Sequence, residues 1–405
     1  MNGTPRRILL ADADAFFVAV ARLVDPEGAG KEPLLIVGGT RESRGVVCSA
    51  SYETRKFGVR SAMPIARALR LCPNAMCVSV PRKACAEKSH EIRRVLEQFS
   101  PVVEGASIDE WYLDLGGTEA LYHHEPLPAT AQRIRGTILR DTGLSVSFGG
   151  GTSKLIAKLA VERAKPRPDT DATGVHVVAQ DEEPAFLHTV ALAEIPMIGP
   201  KFQERLARLG MRTVPDVLQY DLETLASWIG AREARWLHDR VRGIDDRDVA
   251  PRLEARSLSR DETFHADIND DAALARELLA LVTRAASDLR EDGLLARTIT
   301  VRLRDHDFRT RSAARTLERG VMSDRVVLGV ATQLLKRLRA ARRVPARLLG
   351  VALSSLAEDE TVDQLALFER ERDASVETEK DRAVVRAVDR VRAKFGRGAI
   401  VPGGL

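Results

Sequence analysis

The sequence predicts an α+β chain of several domains, on three observations. Up to about Ala164, strand-like and helix-like segments alternate β, α, β, β, α, β around a few acidic residues. From about Ala191 the pattern turns helical. After a polar, proline-containing stretch at Arg247–Ala255, a second mixed unit of strands and helices follows. A length of 405 residues suits roughly two to four domains.

The elements follow in order. Arg7–Ala11 is a short apolar run leading to Asp12 and Asp14, a buried strand that delivers carboxylates at its C-terminal end. Pro33–Gly39 (PLLIVGG) is a second strand, stopped by glycines. Ser51–Phe57 and Pro64–Leu71 are short helices, and Lys83–Phe99 is a longer one closed by Ser100 and Pro101. Val102–Leu115 is two strand-like pieces interrupted by Ser-Ile-Asp-Glu. Pro128–Thr142 is helical, Leu144–Phe148 a strand and Ser153–Ala164 a helix. Ile195–Val217 reads as helix, tight glycine-containing turn, helix. Beyond the linker come a strand at Arg256–Phe264, a helix at Asp271–Arg290, strands at Arg297–Arg304 and Arg309–Leu317, a helix at Asp324–Ala341 and a strand at Ala346–Leu356. The C-terminal segment begins acidic (AEDETVD), shows QLALF, and continues into a charged helical stretch, Val376–Phe395.

Composition narrows the function classes. Hydrophobic residues make up 44% and charged residues 30%, a soluble globular balance. No apolar run approaches the ~18 residues of a membrane span. The N-terminal MNGTPRRILLADADAFF lacks the features of a secretory signal, so the chain reads as cytoplasmic, without a membrane partner. A monomer is expected. Cys48, Cys72, Cys77 and Cys85 lack finger-like spacing and read as buried, reduced thiols. Net charge is only +4, but residues 301–350 hold 13 Lys+Arg against 4 Asp+Glu, while 251–300 hold 7 against 10. Such a basic block suits a phosphate backbone; charge alone does not separate that from a solvated helix face.

Three carboxylates carry the chemistry. Asp12 ends the first strand, and Asp109 and Glu110 sit at a strand–turn–strand tip. Adjacent acids repel unless a cation is present, and a pair of Mg²⁺ ions about 4 Å apart suits transfer from a triphosphate. Gly45–Pro64 presents Tyr52, Arg55, Lys56 and Arg60, residue types that hold phosphate oxygens. Lys154 and Lys158 share a helix face by their spacing. A lysine inside the apolar run LIAKLA needs a partner.

Together ADADAFFVAV, RGVVCSASYETRKFGVRSAMP, LCP at Leu71–Pro73, SIDEWYLD and KLIAKLAVERAKP resemble the Y-family DNA polymerases, in particular the DNA polymerase IV (DinB) branch. The resemblance runs from about Arg7 to Leu356 and extends into the tail. It implies a right-hand fold: palm at 1–15 and 80–172, fingers at 16–79, thumb at 173–247 with a helix-hairpin-helix, linker at 248–255, a little finger at 256–357 that grips DNA, and a tail at 358–405.

The resemblance also implies residue roles. Asp12, Asp109, Glu110 and the backbone carbonyl of Ala13 bind metal: two Mg²⁺, with Mn²⁺ as the alternative. Tyr52, Arg55 and Lys165 contact the triphosphate of the incoming deoxynucleotide. Phe17 is the steric gate under the sugar, with Phe16 beside it, and Val46 and Cys48 lie over the nascent base pair. Lys154, Lys158, Gly199, Arg297, Arg302 and Lys336 contact primer–template DNA. Gln364, Leu365, Leu367 and Phe368 of QLALF dock onto the replication sliding clamp. The sequence departs from the family pattern at Ala21, where relatives often carry Glu; at Trp111, which stands where a small residue is usual and would crowd the primer-end side; and at Gly149–Lys154, with its Gly149–Gly151 run, which replaces a run that usually contains Asn before the Lys. The implied activity is low-fidelity, template-directed translesion synthesis without a proofreading exonuclease. Two other readings are a catalytically silent DNA-binding relative, which would have lost the three acids, and a palm-type nucleotidyl cyclase, which would need no duplex grip.

Overall fold

The computed structural model describes residues 6–42, 44–166, 171–251, 255–358, 377–396, 399, 400 and 403. It divides into two compact units, Met1–Arg252 and Leu253–Leu405. The first begins β1 (Ile8–Ala13), α1 (Phe16–Val24), β2 (Leu35–Gly38), β3 (Val47–Ala50), α2 (Tyr52–Arg55), α3 (Ile65–Leu71), β4 (Met76–Ser79), α4 (Arg82–Leu96). It continues β5 (Val102–Gly105), β6 (Glu110–Asp114), α5 (Leu127–Thr142), β7 (Val146–Gly151), α6 (Lys154–Ala164), β8 (Val175–Val177). Five helices close it: α7 (Glu183–His188), α8 (Pro200–Arg208), α9 (Val214–Leu218), α10 (Leu222–Ile229) and α11 (Ala231–Arg240).

All six residues of β1 are buried because it is the central strand of a sheet ordered β5-β6-β1-β7-β8. Side chains alternate between the two sheet faces. Leu9, Ala11 and Ala13 join Trp111, Leu113, Val146 and Phe148 in a core shared with α1, α4 and α5. Ile8 and Leu10 face the other way, with Tyr112 and with Ala157 and Val161 of α6. Asp12 falls on this second face. Trp111 is 2% exposed within the first core, so it does not crowd the primer-end side; the residue after Glu110 must point away from it. β8 pairs with β7, so the sheet extends past residue 172 into the segment read from sequence as thumb.

The Gly149–Gly151 run has a packing reason. A Cβ on Gly149 would lie 2.2 Å from the Ala157 carbonyl oxygen and 2.2 Å from the Val161 nitrogen. Its absence lets the α6 backbone lie against β7. β2, β3 and β4 form a small separate sheet over Ile36, Val59, Ile65 and Ala68. The helices α7–α11 pack around Leu206, Val214, Leu225 and Leu237. In the hairpin before α8, Gly199 has an ordinary φ of −77°. The left-handed residue is Met197, φ 76° and 87% exposed. The sequence reading placed no helix over α1 and no strands at β3 and β4, which are four residues each.

The second unit is β9 (Ser257–Ile268), α12 (Asp271–Glu291), β10 (Leu294–Asp305), β11 (Thr310–Val321), α13 (Asp324–Ala341), β12 (Ala346–Glu358) and α14 (Glu379–Phe395). An antiparallel sheet ordered β11-β10-β12-β9 carries α12 and α13 on one face over Ile299, Val301 and Leu303. Thr298, Thr300 and Arg302 alternate onto the other face. α14 packs back on this unit. Arg325 binds Asp381 at 2.6 Å, Arg290 binds Asp389 at 2.6 Å, and Val385 is buried. A cavity of about 330 Å³ lies beneath α14, where Asp324, Asp389 and Asp381 engage Arg290 and Arg325. QLALF lies outside the described residues. All four cysteines are unpaired, but Cys48 is exposed and Cys77 only half-buried, so buried thiols describe Cys72 and Cys85 alone. Among the described residues no helix is long and apolar enough to cross a membrane.

Candidate active site

β1 and the β5–β6 turn bring three carboxylates to one end of the central sheet. Asp12 lies opposite Glu110 in the strand register, on the face that α6 covers. The Ala13 N–H donates to the Asp109 carbonyl at 2.9 Å and pins the turn to the strand end. Ser107 donates its hydroxyl to the Asp109 carboxylate. α6 then delivers two ammonium groups. Lys158 reaches Glu110 at 2.7 Å and Asp12 at 3.6 Å, and Lys165, at the C-cap, reaches Asp12 at 3.0 Å.

Asp12 is 6% exposed. Burial pushes its carboxyl up to about 6, against the opposing pull of Lys165 and Lys158. Burial also works against the Lys165 ammonium, but Asp12 and Glu162 outweigh it and hold that group above the usual lysine range. Two lysines therefore do not fully offset the desolvation of Asp12, and a further cation would stabilise its ionised form. Among the described residues no three His, Cys, Asp or Glu side chains already converge on one point. Asp12 and Glu110 face lysines, and Asp109 faces Ser107. The donor set still fits a hard divalent cation, because it is all carboxylate oxygen and one member is buried and under-neutralised.

Beside the carboxylates is a cavity of about 170 Å³, lined by all three acids together with Phe17, Tyr52, Arg55 and Lys165. Arg55 lies over the Tyr52 ring at 5.0 Å, and its Nε donates to the Ala50 carbonyl at 2.9 Å, which fixes the guanidinium at the wall. Burial, then the nearby Asp14 charge, holds the Tyr52 hydroxyl above its usual pKa, so it stays a neutral donor. Phe17 is half-buried at the cavity. Phe16, though it touches the cavity, is 2% exposed and packs edge-on against Phe17 at 5.5 Å, chiefly as a core residue. Cys48 lines the cavity; Val46 is 46% exposed, is bridged to Pro64 and is not among the lining residues. Ala15, Ser49 and Ser61 line it too and carried no signal in the sequence.

The comparisons with known proteins agree with one another. The impB/mucB/samB family model matches residues 11–162 and its C-terminal domain model residues 255–367. The model for the DNA polymerase-iota thumb domain matches residues 193–245. The DNA polymerase IV of Dehalococcoides mccartyi (strain CBDB1) is 35% identical over 98% of this chain and 97% of its own length. The chain belongs to the Y-family DNA polymerases.

Its relatives place it in the DNA polymerase IV branch. The DNA polymerase IV of Halorhodospira halophila is 37% identical over 87% of this chain and 96% of its own. Among solved structures, the Y-family DNA polymerase chimera Dbh-Dpo4(243-245)-Dbh superposes with a TM-score of 0.77 at 25% identity, covering 87% of this chain and 100% of that one. DinB from Sulfolobus solfataricus gives 0.57 at 26% identity over 86% and 98%. The protein is a DNA-directed DNA polymerase of the translesion kind, and it is metal-dependent.

Several residues read from sequence as DNA contacts are placed elsewhere in this Y-family chain. Lys154 shares a helix face with Lys158, but that face is turned inward. Lys154 is 6% exposed, its ammonium binds both Glu104 oxygens at 2.6 Å, and it lies over the Tyr112 ring. Glu104 also accepts the Ala250 N–H at 2.9 Å, so the pair clasps the start of the linker onto the sheet. Lys158 is drawn toward Glu110 and Asp12. In the second unit Arg302 lies on the open sheet face, whereas Lys336 is on the outer side of α13, on the opposite face of the layer. A single surface cannot present both. Arg297 donates to the Leu317 carbonyl at 3.3 Å at the β10 bulge. Much of the basic block is engaged internally: Arg311 and Arg342 bind Asp305, Arg339 binds Asp271 and Arg325 binds Asp381.

Proposed function

We propose that the cavity beside Asp12, Asp109 and Glu110 is the nucleotidyl-transfer site, joining a deoxynucleoside triphosphate to a primer end on a DNA template. The observation that supports this reading best is that the acids, Phe17, Tyr52, Arg55 and Lys165 line one space. Asp12, Asp109, Glu110 and the Ala13 carbonyl would hold two Mg²⁺, with Mn²⁺ as the alternative. The chemistry supplied by such ions, when bound, is activation of the attacking oxygen and neutralisation of phosphate charge. Tyr52, Arg55 and Lys165 bind and orient the triphosphate. Phe17 excludes a 2′-hydroxyl by contact with the sugar. Lys158 holds Glu110 in place before substrate arrives.

DNA is held by the open sheet face around Arg297 and Arg302 and by the hairpin at Gly199. The sliding clamp is bound through Gln364, Leu365, Leu367 and Phe368, and such a tether raises effective concentration at the primer end. The enzyme acts as a monomer in the cytoplasm. Primer extension tests the site. Asp12→Ala or Asp109→Ala, with an unchanged melting temperature, should lose about a thousandfold or more in turnover. Near-wild-type turnover in either variant overturns the assignment.

A further inference from the structure

Asp14 is the carboxylate that the proposed chemistry leaves unused. It follows Asp12 by two residues and lies in the turn between β1 and α1, where Ala15 is left-handed at φ 46°. Its backbone N–H donates to the Ser145 carbonyl at 2.9 Å. Its side chain accepts two more bonds, from the Ser145 hydroxyl at 2.7 Å and from the Ser147 hydroxyl at 2.7 Å. Ser147 stands opposite Asp12 in the register of β1 with β7. Asp14 is not among the residues lining the cavity. Three hydrogen bonds therefore tie the turn to the start of β7, and the tied turn lies between the Asp12 carboxylate and the paired rings of Phe16 and Phe17.

Without the two side-chain bonds the turn would rest on backbone contacts alone: Asp14 N–H on the Ser145 carbonyl, Ala13 N–H on the Asp109 carbonyl and the Ala13–Val146 pairing. A left-handed alanine is disfavoured by sterics and persists only where its surroundings hold it. Supports of this kind set the aim of metal-binding and substrate-facing groups to a fraction of an ångström.

We propose that Asp14 is a positioning residue: gripped by Ser145 and Ser147, it fixes the β1–α1 turn so that Asp12 and the Ala13 carbonyl are aimed at metal and Phe17 is aimed at the sugar. The inference rests on the nucleotidyl-transfer reading of the site, and it assigns Asp14 no contact with metal or nucleotide. What matters is hydrogen-bond geometry rather than negative charge. An asparagine can accept from one serine and donate to the other, since either hydroxyl can rotate to suit.

The test compares Asp14→Ala, Asp14→Asn and the Ser145→Ala/Ser147→Ala pair in the full chain. Calorimetric titration with Mn²⁺ alone gives a readout that does not depend on turnover. Asp14→Ala should weaken Mn²⁺ binding and lower kcat by roughly 10–100-fold, the usual loss when the support of a metal ligand is removed. It should also raise the ratio of ribonucleotide to deoxynucleotide incorporation. The serine pair should reproduce all three effects, and combining it with Asp14→Ala should add little, because both remove the same bonds. Asp14→Asn should recover Mn²⁺ affinity and sugar selectivity to within a few-fold. If Asn is as poor as Ala, the charge is what counts and the proposal fails. It fails equally if Asp14→Ala keeps wild-type Mn²⁺ affinity and sugar selectivity. Should Asp14→Ala not fold, Asp14→Asn and Ser147→Ala alone still decide, since the first should be nearly neutral and the second impaired. A wild-type protein that does not extend primers would instead overturn the underlying reading of the site.

Discussion

Replacing Gly149 by alanine should disable the enzyme from a distance. The new Cβ would sit 2.2 Å from the Ala157 carbonyl oxygen and 2.2 Å from the Val161 nitrogen, both backbone atoms of α6 that no rotamer change can move. To approach the ~3.5 Å of an ordinary non-bonded contact, the helix must retreat by about 1 Å. Overpacking of this kind costs about 1–3 kcal/mol of stability. The larger effect is on the site, because α6 and its C-cap carry both ammonium groups. A retreat of about 1 Å stretches Lys165–Asp12 from 3.0 Å and Lys158–Glu110 from 2.7 Å beyond hydrogen-bonding distance. Misplacing a reacting constellation by ~1 Å can cost about 10²-fold in rate. Single-turnover primer extension and thermal unfolding read the two effects separately. Gly136→Ala is the control: it lies in α5, a Cβ there meets nothing within 4 Å, and it should gain about 0.5–1 kcal/mol without touching the rate. If Gly149→Ala melts and extends like wild type, α6 is not held where its lysines depend on that glycine.

The remaining predictions concern the cavity, the grip and the metal. Phe17→Ala should raise ribonucleotide incorporation by roughly 10–100-fold with a modest loss of deoxynucleotide use; an unchanged sugar preference, measured by competitive incorporation, refutes the gate. Arg302→Glu should weaken binding to every duplex and lower the log–log salt slope by about one contact's worth, ~0.9, while Lys336→Glu leaves the slope unchanged. Equal losses from both would mean that the open sheet face is not the grip. Metal affinity should depend on pH through Asp12, whose carboxyl sits at about 6 rather than 3.8 in the metal-free fold. The proton must leave before a cation binds, so apparent Mn²⁺ affinity should climb by about tenfold per pH unit below that point and level off above it. By linkage, an acid whose folded pKa is raised favours the fold at low pH, so the metal-free protein loses this contribution as pH rises from about 4 to above 6. A flat Mn²⁺ affinity from pH 5 to 7 argues against Asp12 as a ligand.

The sequence by itself determined the local elements and the chemistry at their ends. An apolar run located β1 and put Asp12 at its C-terminal end, one residue short of the observed limit at Ala13; helical periodicity located α4, α5, α6, α12 and α13 to within a few residues of their observed limits. The motifs placed the carboxylates and the Tyr52–Arg55 segment in one family and therefore in one site. These features depend on neighbours a few residues apart, which is the range over which propensity and periodicity act. Short strands such as β3 and β8 escaped the reading because three or four residues are too few to establish a period, and only pairing with distant strands makes them strands.

Only the tertiary structure decided where the charged and bulky side chains between those elements point. Lys154 and Lys158 look alike in sequence, yet one clasps Glu104, 50 residues away, and the other steadies Glu110, 48 residues away. Trp111 was free to face the primer end or the core until the β1–β6 register fixed Glu110 on one face and hence Trp111 on the other. The basic block looked like a reserve of phosphate-binding charge because a count along the chain cannot see Asp305 and Asp271 folding back against Arg311, Arg342 and Arg339. The physical reason is the same in each case. A charge or a ring finds its partner across the fold, and sheet register and helix packing, set by the whole core at once, select that partner.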